Sequence, residues 1–253
     1  MFKRLIRYDL IWNVKLPAYY YAVALLSAVL YRLTESFSSP VGSFIHAFLF
    51  GLCISMTVST VINALIRCWL RFVNTSYKDQ SYLFHTLPVK RQTLFGAHFV
   101  SSVLVMALTA LGAFLCVLIL TVGTEAGEWL KTLLRENLAA FILGLICVFL
   151  EFNFLYICGA AGTILGYSSE GNRTLKSFLY SALLYLAASA ALIGFLYLIG
   201  LADADLSAIF ASGALPVGSL WKAFLAADLL YLLFSAVFIL IGKNLYQKKI
   251  NVE

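Results

Sequence analysis

The sequence predicts an all-α integral membrane protein with six transmembrane helices, and three observations predict it. Six long apolar runs alternate with short polar breaks, and a hydrocarbon core roughly 30 Å thick needs about 20 apolar residues per spanning helix. Hydrophobic residues make up 62% of the 253-residue chain, against roughly 45–50% in soluble domains. Fourteen of the 18 Lys and Arg residues fall in alternate breaks, the asymmetry that retains basic loops on the cytoplasmic side.

Residues 1–15 read as an amphipathic interfacial helix. Phe2, Leu5, Ile6 and Leu10 recur on one face and Lys3, Arg4 and Arg7 lie off it. Such a segment suits the inner leaflet, its apolar side in the acyl boundary and its cations near lipid phosphates. Residues 16–253 read as a single transmembrane domain with spans at about 16–36, 44–66, 94–122, 138–166, 179–201 and 223–242. Sixteen residues separate Lys15 from Arg32, about 24 Å of helix, so the first span must borrow from its flanks or sit in thinned membrane. A cleaved leader is the competing reading, and Asp9 would be unusual in one.

The charge count places both termini of this multi-pass protein in the cytoplasm. The net charge of +6 is read as topology and attraction to anionic lipid, not as a nucleic-acid surface. Five cysteines, Cys53, Cys68, Cys116, Cys147 and Cys158, lie in or beside apolar runs. Such thiols behave as small hydrophobes, and no disulfide framework is expected.

The break after the second span is the most informative. Ser76 and Asp79 have capping-box spacing, so a short helix is expected to start at Tyr77. Pro88 stops it, because the residue before a proline is pushed out of the α region. That helix would present Tyr77, Tyr82, Phe84 and Leu87. Four large apolar groups in a water-facing loop suit a plug accepted by another protein's groove, or a helix lying flat on the membrane.

The run Tyr82-Leu83-Phe84-His85-Thr86-Leu87-Pro88-Val89-Lys90-Arg91 resembles the basic Thr-Leu-Pro-Val signature of ABC-2 type transporter permeases. The start Arg7-Tyr8-Asp9, the chain length, six spans and inside termini are similar to that family too. The resemblance implies an ABC-2 (type V-like) exporter half in which residues 75–91 form the cytoplasmic coupling segment. It implies that Tyr77, Lys78, Asp79, Gln80, Ser81, Tyr82, Leu83, Phe84, His85, Thr86, Leu87 and Pro88 dock on a separate ATP-binding cassette ATPase subunit. It also implies re-entrant helices within 202–220. No Gly-x-x-x-x-Gly-Lys-Ser/Thr loop exists here, since Gly242-Lys243 is followed by Asn244. ATP and Mg are therefore expected on the partner ATPase, with no cofactor in this chain and a second permease copy, identical or not, beside it. The cargo implied is amphipathic peptide or other lipid-associated material. Lipid, drug or sodium export and a non-transporting sensor or immunity subunit are the alternatives.

Glu151 and Asn153 fall mid-span in the fourth run, and Asp228 stands about two turns into the last helix from Trp221, where the outer interface is the competing reading. A charge at that depth is costly, by about 2.5–3.5 kcal/mol on insertion scales, which marks these three as candidates for a substrate path or for interhelical hydrogen bonds. Gly162 and Gly166 have the Gly-x-x-x-Gly spacing that lets another backbone approach closely. That backbone can belong to this chain or to a partner. His46, His85 and His98 are scattered and no His-Glu-x-x-His run is present, so neither a metal site nor an enzyme is expected.

Overall fold

The computed structural model describes residues 2–37, 39–78, 80–82, 90–202 and 220–248, and among them helices and turns occur and no strand. The helices are α1 (Phe2–Leu33), α2 (Pro40–Tyr77), α3 (Arg91–Thr121), α4 (Glu125–Glu136), α5 (Leu138–Tyr167), α6 (Arg173–Ala202) and α7 (Leu220–Lys248), with a 3-10 turn at Thr34–Ser36 after α1. Among the described residues all of these helices but α4, six in number, are long and apolar enough to cross a membrane. Their outward surfaces are apolar, as with Phe44 and Val58 on α2, Leu104 on α3, Leu186 on α6 and Leu232 on α7. This is the surface a lipid solvent requires.

Two expectations change. The boundary at Lys15 is not a break, because Phe2–Leu33 is one helix. Its buried stripe is Asp9, Asn13, Pro17, Ala24, Ser27 and Ala28, while Phe2 is exposed. The apolar face of residues 1–15 yields because Asp9 finds a cation and an imidazole to turn toward. The second change is at Tyr77, expected to open a helix and found to end one. Helix α2 runs 38 residues, about 57 Å, well past the apolar run that ends near Ile66. Ser76 is buried there with its hydroxyl 3.4 Å from Tyr246 Oη.

The chain forms two compact units: Met1–Arg71 with Ala97–Lys131, and Phe72–Gly96 with Thr132–Glu253. In the first, Ala24 and Ala28 of α1 meet Cys53 of α2 and Cys116 of α3 in a core of small side chains. Small residues bring helix backbones close, which is where dispersion contacts accumulate when lipid is as apolar as the core. Arg32 ties α1 to α3: its Nε donates to Ile119 O at 2.8 Å and its Nη2 to Leu120 O. Those carbonyls stand in the last turn of α3, where no helical N–H follows and a cation is favoured.

In the second unit α5 packs against α6 and α7. A Cβ at Gly162 would collide with the backbone of Ser181, and one at Gly166 with the backbone of Ser177. The close approach thus falls within this chain, on α6, and Ser181 Oγ donates back to Gly159 O at 3.2 Å. Nearer mid-span, Phe154 stacks on Phe238 at 5.9 Å between ring centres and tilts against Tyr231 at 5.6 Å.

The break between the third and fourth spans holds α4. Thr124 Oγ1 accepts from the Gly127 N–H at 3.3 Å as its N-cap. Glu125 and Glu128 occupy the first turn and Arg135 the last, matching the helix dipole.

Candidate functional site

The root of the 78–90 segment is an aromatic knot in the second unit. Phe72 of α2, Phe95 of α3, Ala160 and Ile164 of α5 and Tyr246 of α7 are buried together, with Tyr77 packed against them. Tyr77 stacks on Tyr167 at 4.5 Å and 20°. Phe72 meets Phe95 edge-on at 6.2 Å and 77°, and Phe95 lies 5.4 Å from Tyr246. Offset and edge-on rings are the arrangements the ring quadrupole favours. Three other helices, α3, α5 and α7, therefore pack round the end of α2.

Beyond this knot the chain turns outward. Gln80 N donates to Asn74 O at 3.3 Å and Ser81 N to Lys78 O at 2.7 Å. Ser81 and Tyr82 are helical. Of the residues expected to dock on a partner, Tyr77 packs against the rings of Phe72 and Tyr167. Lys78 and Tyr82 are exposed, Tyr82 by 70%. Asp79, Leu83, Phe84, His85, Thr86, Leu87 and Pro88 lie outside the described residues.

The first unit holds a buried ionic cluster that sequence reasoning missed. Asp9 of α1 accepts from Arg71 Nε of α2 at 2.9 Å through one oxygen. Its other oxygen lies 2.6 Å from His98 Nδ1 of α3. The three side chains are between 2% and 5% exposed. Arg71 also lies over the rings of Tyr8 at 5.0 Å and Trp12 at 5.4 Å, and Arg67 over Trp12 at 4.6 Å. Guanidinium stacking on aromatic faces suits partly desolvated cations. The one available signal was Asp9 itself, a lone acid in a leading segment that carries Lys3, Arg4 and Arg7.

At mid-span the expected polar residues divide. Tyr185 Oη of α6 donates to Glu151 Oε1 at 2.6 Å. Cys147 stands one turn before Glu151 on α5 and lies beside Asp228 of α7. Asn153 turns elsewhere. Two positions on, it points about 200° round the helix, and its Nδ2 donates to Phe149 O of its own helix at 2.7 Å.

No protein-family model, curated protein or solved structure matches the chain. The class defined by the fold is a multi-pass membrane protein with six candidate spans.

Proposed function

We propose that the chain is the membrane-spanning permease subunit of an ATP-driven ABC transporter. It would export amphipathic peptides or other lipid-associated compounds, with a separate ATP-binding cassette subunit hydrolysing ATP and a second permease copy completing the pathway. The observation that carries this reading is the contrast at the end of α2. Tyr77 stacks on Tyr167 of α5 and packs against a buried cluster drawn from α2, α3, α5 and α7, while Tyr82, five residues on, is exposed. A partner pressing on the exposed part displaces the helices that grip its root. The Thr86-Leu87-Pro88-Val89-Lys90-Arg91 run and the clustering of cations in alternate breaks support the same reading, with both termini and residues 75–91 in the cytoplasm.

In this mechanism two ATPase subunits closing on nucleotide move the 77–88 segments as levers, and the membrane helices exchange one packing arrangement for another. ATP shifts that equilibrium only as far as it binds the two states differently. The test is affinity purification of the tagged chain from its native membrane, followed by reconstitution with the ATP-binding cassette ATPase it recovers. Stable co-purification and ATP hydrolysis stimulated by an amphipathic peptide are expected. Failure to recruit any ATPase, or exposure of 75–91 on the outside of intact cells, overturns the proposal.

A further inference from the structure

Within the first unit, α1 and α3 leave a cavity of about 370 Å³ between them, a volume in the range of small-molecule sites. Val14, Ala18, Tyr21 and Leu25 of α1 face Val105 and Leu108 of α3 across it. The two hydroxyls in its lining are engaged by the wall itself. Tyr21 Oη donates to Thr109 O, and Thr109 Oγ1 donates to Val105 O at 2.7 Å. Neither donor is left for a ligand, so the cavity offers its contents hydrocarbon. Its side is open, because Leu108 is 51% exposed and the small residues Ala18 and Ala22 are exposed as well. Between two spanning helices, such an opening faces lipid. From Val14 to Leu25 is about 16 Å of helix, close to half of a hydrocarbon core roughly 30 Å thick. That is the length of one acyl chain of one leaflet.

The charge on α1 continues the same face. Lys3 and Arg7 stand eleven and seven residues before Val14, spacings that return to one side of a helix, and Ala18, Tyr21 and Leu25 extend it. Both cations are exposed, and among the described residues neither forms a salt bridge. Arg7 lies about 10 Å along the helix from Val14, a gap that an arginine side chain and a glycerol backbone bridge. Helix α1 thus presents a stripe that is cationic near its start and apolar and concave beyond. A phospholipid with an anionic headgroup has the complementary order.

We infer that the α1–α3 cavity binds one acyl chain of an anionic phospholipid, with the headgroup phosphate beside Arg7 and Lys3. The chain supplies the dispersion contacts that the walls forfeit when the cavity is empty. The inference stands apart from the reading of residues 75–91, and its test needs no ATPase.

Wild-type protein and the variants Ala22→Phe, Lys3→Gln and Arg7→Gln are placed in phosphatidylcholine nanodiscs containing a trace of phosphatidylglycerol with a diazirine in its acyl chain. Peptide mass spectrometry after illumination locates the adducts. Label is expected on residues 14–25 and 105–109 of the wild type, displaced by unlabelled phosphatidylglycerol and far less by phosphatidylcholine. Ala22→Phe, which fills the mouth of the cavity, should lose that label and keep the label at lipid-facing positions such as Leu186 and Leu232. Each cation variant should weaken displacement by phosphatidylglycerol about fivefold. Label spread evenly over the lipid-facing surface of the wild type overturns the site, whether or not Ala22→Phe folds. Equal displacement by the two lipids overturns the headgroup contact. A dimer that Ala22→Phe dissociates, with no label in the wild-type cavity, overturns the inference in favour of a second copy of this chain.

Discussion

Arg71 Nε donates to Asp9 Oδ1 at 2.9 Å across 62 positions of sequence, and the two side chains are 3% and 2% exposed. The second carboxylate oxygen meets His98 Nδ1 at 2.6 Å. One acid thereby fixes the ends of α1, α2 and α3 to one another.

Removing Asp9 alone should leave a buried guanidinium without its counter-charge, at a cost of about 3–5 kcal/mol. Asp9→Ala is therefore expected to lower the thermal midpoint of the purified protein sharply. The Asp9→Ala/Arg71→Met double variant should recover much of the loss, because the stranded charge is gone. A double variant no more stable than Asp9→Ala would show that the pair is not what holds these helix ends.

The crossing at Gly162 and Gly166 has no room for a methyl group. Overpacking of this kind costs about 1–3 kcal/mol, and here the obstacle is the backbone of Ser181 and Ser177, which cannot swing aside. Gly166→Ala and Gly162→Ala should each destabilise the protein, while Gly194→Ala, with nothing within 4 Å of its Cβ position, should not. Unfolding in a denaturing detergent titration compares the three.

Tyr77 and Tyr167 should be energetically coupled. Stacked aromatic pairs contribute about 0.5–1.5 kcal/mol beyond their buried area. A double-mutant cycle with Tyr77→Ala and Tyr167→Ala reads that coupling from unfolding free energies, and additive losses would mean the rings act independently.

If the exposed part of the segment is the ATPase contact, charge on it should uncouple the two proteins without unfolding the permease. Tyr82→Asp is expected to retain the wild-type thermal midpoint and to lose substrate-stimulated ATP hydrolysis with its partner. Phe84→Asp should behave alike. Undiminished stimulation in Tyr82→Asp would remove the lever from the mechanism.

How far the sequence reached differs from site to site. The apolar runs located all six long helices, since a lipid solvent imposes a length and a composition that need no partner to be read. Their ends were less legible. Helix α6 begins at Arg173 and α2 reaches Tyr77, because polar residues continue a helix wherever neighbouring helices or water satisfy them. The acids Glu151 and Asp228 stood out by cost alone, yet the pairing of Glu151 with Tyr185, and the turn of Asn153 back to its own helix, depend on helix rotation. The contact of Ser76 with Tyr246 was not legible, because the two stand 170 positions apart.

What the amino-acid sequence determined by itself is the solvent of this protein and the number of helices that cross it, because hydrophobic length is a local property of the chain. Tertiary structure decided the rest: that Asp9 turns inward to Arg71 and His98, that Tyr77 belongs to the knot and not to the exposed segment, and that the glycine crossing meets α6. Each of these is a pairing between residues far apart in sequence. Such pairings are set by which faces of the helices come together, and periodicity within any one helix does not specify that.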